Sequence, residues 1–310
     1  MEMLIGLIGL AVLIVVYVRR FLLRRETPPL QAATFDGEIF KVGKAAIARR
    51  AGTDTKSSVV VVHGFAENFT YFSRYYAAPH LELIKLSCAD YHLPVENPNY
   101  VAAEWTFVPK HQPGTIAYDA AVLNLAIEHL VSHSSLRVHG HSRGGAVVLE
   151  AARQRPDLFV DAEVILEAPM LPQARPVQQI SPIIAWLLPF YLAAWQQQPI
   201  SDKNRSRWGS LEDPHKRDLV MGFPFNARHL STMVTNIQDM ADWTASTGPD
   251  IYRHVRCGAV LVPAEDRILD TASMRVSAQQ AENLQVIEIE NGSHFVIHDH
   301  PSSVPPVLQA

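Results

Sequence analysis

The chain has 310 residues, 48% of them hydrophobic and 19% charged, enough to bury one large core with an excursion and too apolar for a disordered chain. Its formal net charge is −4 and its main body carries no basic stripe, which excludes nucleic acid as a partner class. Cys88 and Cys257 are the only cysteines, too few for a disulfide framework at this length, and both are expected as buried apolar fillers.

Met3 to Val18 holds no charged residue, and Arg19, Arg20, Arg24 and Arg25 follow it. At about 1.5 Å of helical rise per residue this run falls somewhat short of a hydrocarbon core of about 30 Å, and Phe21 to Leu23 extend it if Arg19 and Arg20 snorkel. A secretory signal has positive charge before its apolar run and small residues after it, whereas here Glu2 precedes and arginines follow. The expectation is an uncleaved transmembrane anchor and basic flank over residues 1–25, with a cleaved signal and a membrane-surface helix as rivals. The positive-inside rule then puts the body in the cytoplasm, and the arginines can also meet anionic headgroups.

Thr27-Pro28-Pro29 reads as part of a linker over residues 26–35. Gly37 to Arg50 reads as a pair of short strands, and the valine run Val59 to Val62 as a strand buried on both faces. Phe69 to Tyr76 is expected as a short helix, Leu83 to Cys88 as a strand and Ile116 to Val131 as an amphipathic helix. Leu136 to His139 is the next strand, followed by a tight turn and a helix to about Arg155, which Pro156 closes. Val164 to Leu166, Ala259 to Pro263 and Leu284 to Ile289 complete the strands. Strands alternating with helices imply a mostly parallel sheet covered on both faces, with reactive groups at the carboxyl ends of the strands.

Between Pro169 and Val255 the alternation stops. This stretch is rich in prolines and aromatics (Trp186, Pro189, Phe190, Tyr191, Trp195, Trp208, Phe223, Phe225, Trp243) and reads as a helical cap inserted at about residues 170–255. Ile183 to Trp195 is especially apolar, but Pro189 is expected to break it, and it is too short for a second span. Its apolar face either packs on its own domain, lines an acyl pocket or touches the bilayer.

Gly140-His141-Ser142-Arg143-Gly144 joins a strand to a helix. A serine on so tight a turn takes strained dihedrals, and the residues two positions either side must lack bulk for strand and helix to approach. The turn exposes the Ser142 hydroxyl, and N–H groups at the helix start face any developing negative charge. Serine chemistry also needs a base and an acid to orient it. Asp266 follows the strand Ala259 to Pro263, and His294 follows Leu284 to Ile289. Glu265 and Asp270 are rival carboxylates, and a surface ion pair with Arg267 is the plain alternative for Asp266. His298 and His300 form a His-x-His pair without an evident third metal ligand. His139 and His141 are expected to fill space or hydrogen-bond locally.

With His63-Gly64-Phe65, the serine turn, Asp266 and His294 following strands in that order, the chain resembles the α/β-hydrolase superfamily from about residue 35 onward. The resemblance implies an α/β-hydrolase domain over residues 36–310. By it, Ser142 is the nucleophile, His294 the base and then acid, and Asp266 the orienting carboxylate. The N–H groups of Phe65 and Arg143 would form the oxyanion hole, with His63 and Gly64 supporting that loop. Two departures stand out: Asp90-Tyr91-His92-Leu93-Pro94 replaces the usual Asp with spaced glycines, and the segment Pro301 to Ala310 curtails the final helix.

The reading is therefore a serine hydrolase of a carboxylic ester, with anchor and cap suggesting a lipid-like acyl substrate such as a monoacylglycerol or lysophospholipid. The same triad serves thioester or amide cleavage, acyl transfer and cofactor-free perhydrolysis; no cofactor or metal is implied. A membrane-tethered binding protein without activity is the reading from another class.

Overall fold

Val59 to Val62 has no polar face to offer water, and the chain buries the whole strand that contains it. The computed structural model describes residues 1–27, 32–53, 56–175, 180–222 and 225–307. In chain order it contains helix α1 (Glu2–Arg24), strands β1 (Glu38–Val42), β2 (Ala45–Arg50), β3 (Ser57–Val62) and β4 (Leu81–Ser87), and helix α2 (Ile116–Leu130). Then come β5 (Ser135–His141), α3 (Arg143–Gln154) and β6 (Ala162–Glu167). The inserted helices are α4 (Pro182–Gln197), α5 (Pro214–Met221) and α6 (Leu230–Ser246), and the chain closes with β7 (Cys257–Pro263), α7 (Thr271–Ala278), β8 (Gln285–Ile289) and α8 (Val296–Asp299).

The strands form one eight-stranded sheet in the order β1-β2-β4-β3-β5-β6-β7-β8. The β1–β2 and β2–β4 pairs are antiparallel and the rest parallel. Side chains alternate across the pleat, so each strand feeds two cores. Val60, Val62, Ile84, Val138 and Leu166 pack towards α2 and α3, while Val59, Val61, Leu83, Ile165 and Leu261 pack on Tyr71, Phe72, Tyr76 and Val296. Because the parallel strands run the same way, the segments after β3, β5, β7 and β8 gather along one edge of the sheet.

Phe69 to Tyr76 forms successive turns instead of the expected helix. Asn68 accepts from Thr70 N through Oδ1 at 2.8 Å and from Tyr71 N through its carbonyl at 3.1 Å. That local bonding competes with a helical start, and the aromatic side chains then fill the sheet face. Nor does Pro189 break its helix: α4 runs through it for 16 residues. Ser181 caps the start by accepting from Ile184 N at 3.3 Å, and the buried Leu188, Pro189 and Leu192 hold the helix against its neighbours. Cys257 is exposed, contrary to expectation, because β7 begins there before the strand enters the core; Cys88 is buried. Pro28, Pro29 and Phe223 lie outside the described residues.

Helix α1 is long and apolar enough to cross a membrane and has no buried residue. Its basic end rests against the cap: Arg19 Nε donates to Trp186 O at 3.0 Å, and Arg228 pairs with Glu26 at 3.2 Å.

Candidate active site

Ser142 sits between β5 and α3 at φ 53° and ψ −120°, a strained conformation for a residue with a side chain. Its surroundings hold it there. Ser142 N donates to Glu167 O at 2.9 Å, while Ser142 O accepts from Met170 N at 2.9 Å and Gly145 N at 3.0 Å. A Cβ on Gly140 would lie 2.5 Å from Gly144 O, and one on Gly144 would collide with Val62 O. The two glycines therefore let the turn close.

His294 follows β8 and Asp266 follows β7. His294 Nδ1 lies 2.6 Å from Asp266 Oδ2, and Asp266 Oδ1 accepts from Ile268 N at 2.7 Å and Leu269 N at 2.9 Å. Burial acts to raise the Asp266 pKa, but the neighbouring His294 and these hydrogen bonds hold it below the usual carboxylate range. An ionised Asp266 only accepts, so Nδ1 of His294 carries a hydrogen and the ring presents Nε2 on its other side. Ser142 and His294 line one cavity of about 370 Å³. Among the described residues no hydrogen bond joins their side chains, and such contacts commonly tighten only with substrate in place.

The rival groups are engaged elsewhere. Glu265 is exposed, and Asp270 caps α7 by accepting from Ser273 N at 2.8 Å. His298 packs edge-on against Tyr71 at 4.7 Å, and His300 Nε2 donates to Asn291 O at 3.3 Å.

After β3, Cys88 N donates to His63 Nε2 at 3.2 Å, so Nδ1 bears the hydrogen and donates to Gly64 O at 2.8 Å. Burial pushes the His63 pKa down to about 4, which keeps the ring neutral. A Cβ on Gly64 would stand 2.8 Å from both Ser142 Cβ and Glu67 Oε2, so glycine brings this loop onto the serine turn. Phe65 and Arg143 both line the cavity. Arg143 begins α3, where helix geometry leaves its N–H without an intrahelical acceptor.

Three acids around the site, Glu67 half-buried and Asp119 and Glu167 buried, belong to no motif in the sequence. Glu67 Oε2 accepts from Gly64 N at 2.8 Å and from His141 Nδ1 at 2.8 Å. Asp119 pairs with the Arg143 guanidinium at 2.7 Å. Glu167 accepts from Tyr71 OH at 2.7 Å and Ile297 N at 2.8 Å, and lies 3.2 Å from His139 Nε2. A charged residue in the otherwise apolar run Ala117 to Leu123 is the available signal for Asp119. Glu67, His141 and His294 each bring a ligand-capable atom within 4.8 Å of the others. Two histidines and a carboxylate suit a zinc-type ion, but such an ion would have to displace the His141–Glu67 pair.

A mostly parallel sheet with a strained serine turn, a His–Asp pair and a glycine loop along its carboxyl edge is the architecture of an α/β hydrolase. Residues 59–304 match the alpha/beta hydrolase family, and the chain belongs to it. Its fold is similar to that of a thermophilic esterase from Thermogutta terrifontis, at TM-score 0.57 and 18% identity, covering 89% of this chain and 94% of that one. It is also similar to an esterase from Exiguobacterium antarcticum, at TM-score 0.59 and 12% identity over 86% and 96% of the two chains. A 2-hydroxy-6-oxo-6-phenylhexa-2,4-dienoate hydrolase from Rhodococcus sp. strain RHA1 gives TM-score 0.59 and 17% identity over 86% and 95%. At these identities the likeness is one of fold. No curated protein matches the chain.

Proposed function

We propose that the protein is a membrane-anchored serine hydrolase of carboxylic esters with a hydrophobic acyl group. The observation that carries this reading is that Ser142, on its strained turn, lines the same cavity as His294, whose ring Asp266 holds at 2.6 Å. In this mechanism Ser142 Oγ attacks the ester carbonyl carbon while His294 Nε2 takes the hydroxyl proton. The oxyanion is met by the N–H groups of Phe65 and Arg143. His294 returns its proton to the departing alkoxide as the C–O bond breaks, leaving an acyl ester on Ser142. Water then gives a proton to His294 and attacks the acyl carbon; release of the acid returns the proton to Ser142. His63 and Gly64 support the oxyanion loop.

The cap side of the cavity, with Tyr191, Trp195, Leu219, Ile237 and Met240, favours an apolar acyl chain such as that of a monoacylglycerol or lysophospholipid. Residues 1–25 act as the anchor and basic flank, 26–35 as the linker and 36–310 as the hydrolase domain with its cap at about 170–255. The arginines after the apolar run put that domain in the cytoplasm.

The test is turnover of p-nitrophenyl esters of graded chain length by the full chain in detergent, with fluorophosphonate labelling in parallel. Wild type should hydrolyse the longer esters and take the label, and Ser142→Ala should do neither. Equal labelling of both proteins would overturn the nucleophile assignment; labelling without turnover of any ester would move the substrate to thioesters or amides.

A further inference from the structure

Helix α4 contains no charged residue over Pro182–Gln197. Its inner side buries Leu188, Pro189 and Leu192, yet its outer side is apolar too: Ile183 is 73% exposed, Leu187 46% and Tyr191 55%. These three positions recur every four residues and form one stripe, with Ile184 beside it. A cap helix facing only water would carry polar residues there.

Two further observations identify what meets this stripe. The first is continuity with α1. Arg19, where the uncharged run of the membrane-length helix α1 ends, donates to Trp186 O at 3.0 Å, and its guanidinium lies 5.2 Å from the Trp186 ring centre. Trp186 thus sits level with the point where α1 would leave the hydrocarbon, a depth at which Trp and Tyr are favoured. The second is charge. The segment after α4, Ser201 to Arg207, carries Lys203, Arg205 and Arg207 against the single acid Asp202, and all three cations are exposed. Arg207 lines the cavity with Tyr191 and Trp195. An apolar stripe edged by cations matches the acyl and headgroup layers of an anionic bilayer.

We propose that α4 is a second membrane contact: its Ile183–Leu187–Tyr191 stripe lies in the interface of an anionic phospholipid bilayer, beside the exit of α1, and turns the cavity mouth towards lipid. The proposal rests on α1 being a membrane anchor. Substrate then reaches Ser142 laterally from the membrane, past Tyr191 and Arg207, and need not cross bulk water.

The experiment uses the full chain with Cys257→Ser, leaving only the buried Cys88, and an environment-sensitive fluorophore at Leu187→Cys, Leu10→Cys or Lys56→Cys. Lys56 is exposed at the amino end of β3, away from the site. Each protein is reconstituted into phosphatidylcholine vesicles with or without phosphatidylglycerol, containing lipid-borne quenchers. The expected result is strong quenching at position 10, clear quenching at 187 that rises several-fold with the anionic lipid, and little at 56. Adding Lys203→Gln, Arg205→Gln and Arg207→Gln should lower quenching at 187 without changing that at 10. Quenching at 10 but not at 187 overturns the proposal and leaves the anchor standing; quenching at neither overturns both. A blue-shifted label at 187 that lipid quenchers do not reach assigns the stripe to a protein partner or a second copy, and overturns the bilayer. Quenching at 187 that ignores anionic lipid overturns the choice of a charged surface.

Discussion

His141 Nε2 donates to the carbonyl oxygen of His294 at 2.9 Å, so the residue before the strained serine holds the loop that bears the proposed base. Its other nitrogen, Nδ1, donates to Glu67 Oε2 at 2.8 Å. Both partners are acceptors, which requires a hydrogen on each ring nitrogen, and His141 is therefore an imidazolium. Burial opposes that charge, but Glu67, Glu167 and the two hydrogen bonds outweigh it and push the pKa up to about 9.

This relationship predicts a pH-dependent stability. The folded pKa of His141 lies above the ordinary 6.5, so folding favours the charged ring. The stabilisation is full below pH 6.5 and falls away as pH rises through about 9, and its size should be about 1–3 kcal/mol. Urea unfolding between pH 6 and 10 should show this loss in wild type and a flatter profile in Glu67→Gln. Because Glu67 also bonds Gly64 N, Glu67→Gln should lower kcat about tenfold or more with a smaller change in KM. A profile unchanged by Glu67→Gln would count against the ion pair.

Asp266→Asn should be a folded, nearly inactive protein. Oδ1 of Asp266 accepts from two backbone N–H groups, and an asparagine keeps those bonds only by turning its NH2 towards His294. That donor demands a lone pair on Nδ1 and puts the hydrogen on Nε2, where the base must be free. A loss of roughly a thousand- to ten-thousandfold in kcat/KM is expected with a near-normal melting temperature. Glu265→Gln, at the exposed neighbour, should leave kinetics within about twofold. Equal losses in the two variants would remove Asp266 from its assigned role.

What is legible in the chain depends on how local its cause is. Ser142, Asp266 and His294 can be placed after strands because β-branched runs and the glycine spacing of a tight turn leave local marks. The turns at Phe69 to Tyr76 resemble a helix in the sequence because their cause is the Asn68 bonding and a sheet face that needs aromatic filling. Pro189 resembles a breaker because the packing of Leu188 and Leu192 that keeps α4 whole is tertiary. Glu67 carries no mark at all: its partner His141 lies 74 residues away, and only the fold brings them together.

The strain at Ser142 predicts a stability difference between two variants that lack the hydroxyl. At φ 53° and ψ −120° a residue with a Cβ is held in a sparsely populated region. Glycine relieves strain of about 1–3 kcal/mol and gives back about 0.5–1 kcal/mol in chain entropy. Ser142→Gly should therefore be about 1–2 kcal/mol more stable than Ser142→Ala, both being inactive. Denaturant unfolding of the two variants measures the difference, and equal stabilities would mean the turn relaxes without cost.

Arg143 separates a backbone role from a side-chain role. Its guanidinium is buried, donating to Asp119 Oδ2 at 2.7 Å and to Gly114 O at 3.1 Å, while Ala89 N donates to Asp119 Oδ1 at 3.0 Å. Burial opposes the charge on Arg143, but Asp119 outweighs it and raises the pKa. Removing either partner strands a buried charge, so Arg143→Met and Asp119→Asn should each cost about 3–5 kcal/mol. In the double variant no charge is stranded, and the asparagine side-chain oxygen still accepts from Ala89 N; at least half of the larger single loss should return. The oxyanion assignment uses only the N–H of residue 143, which methionine also supplies. Turnover per folded molecule in the double variant should thus stay within about tenfold of wild type. A loss of more than about a hundredfold in a folded double variant would instead bring the guanidinium into the chemistry.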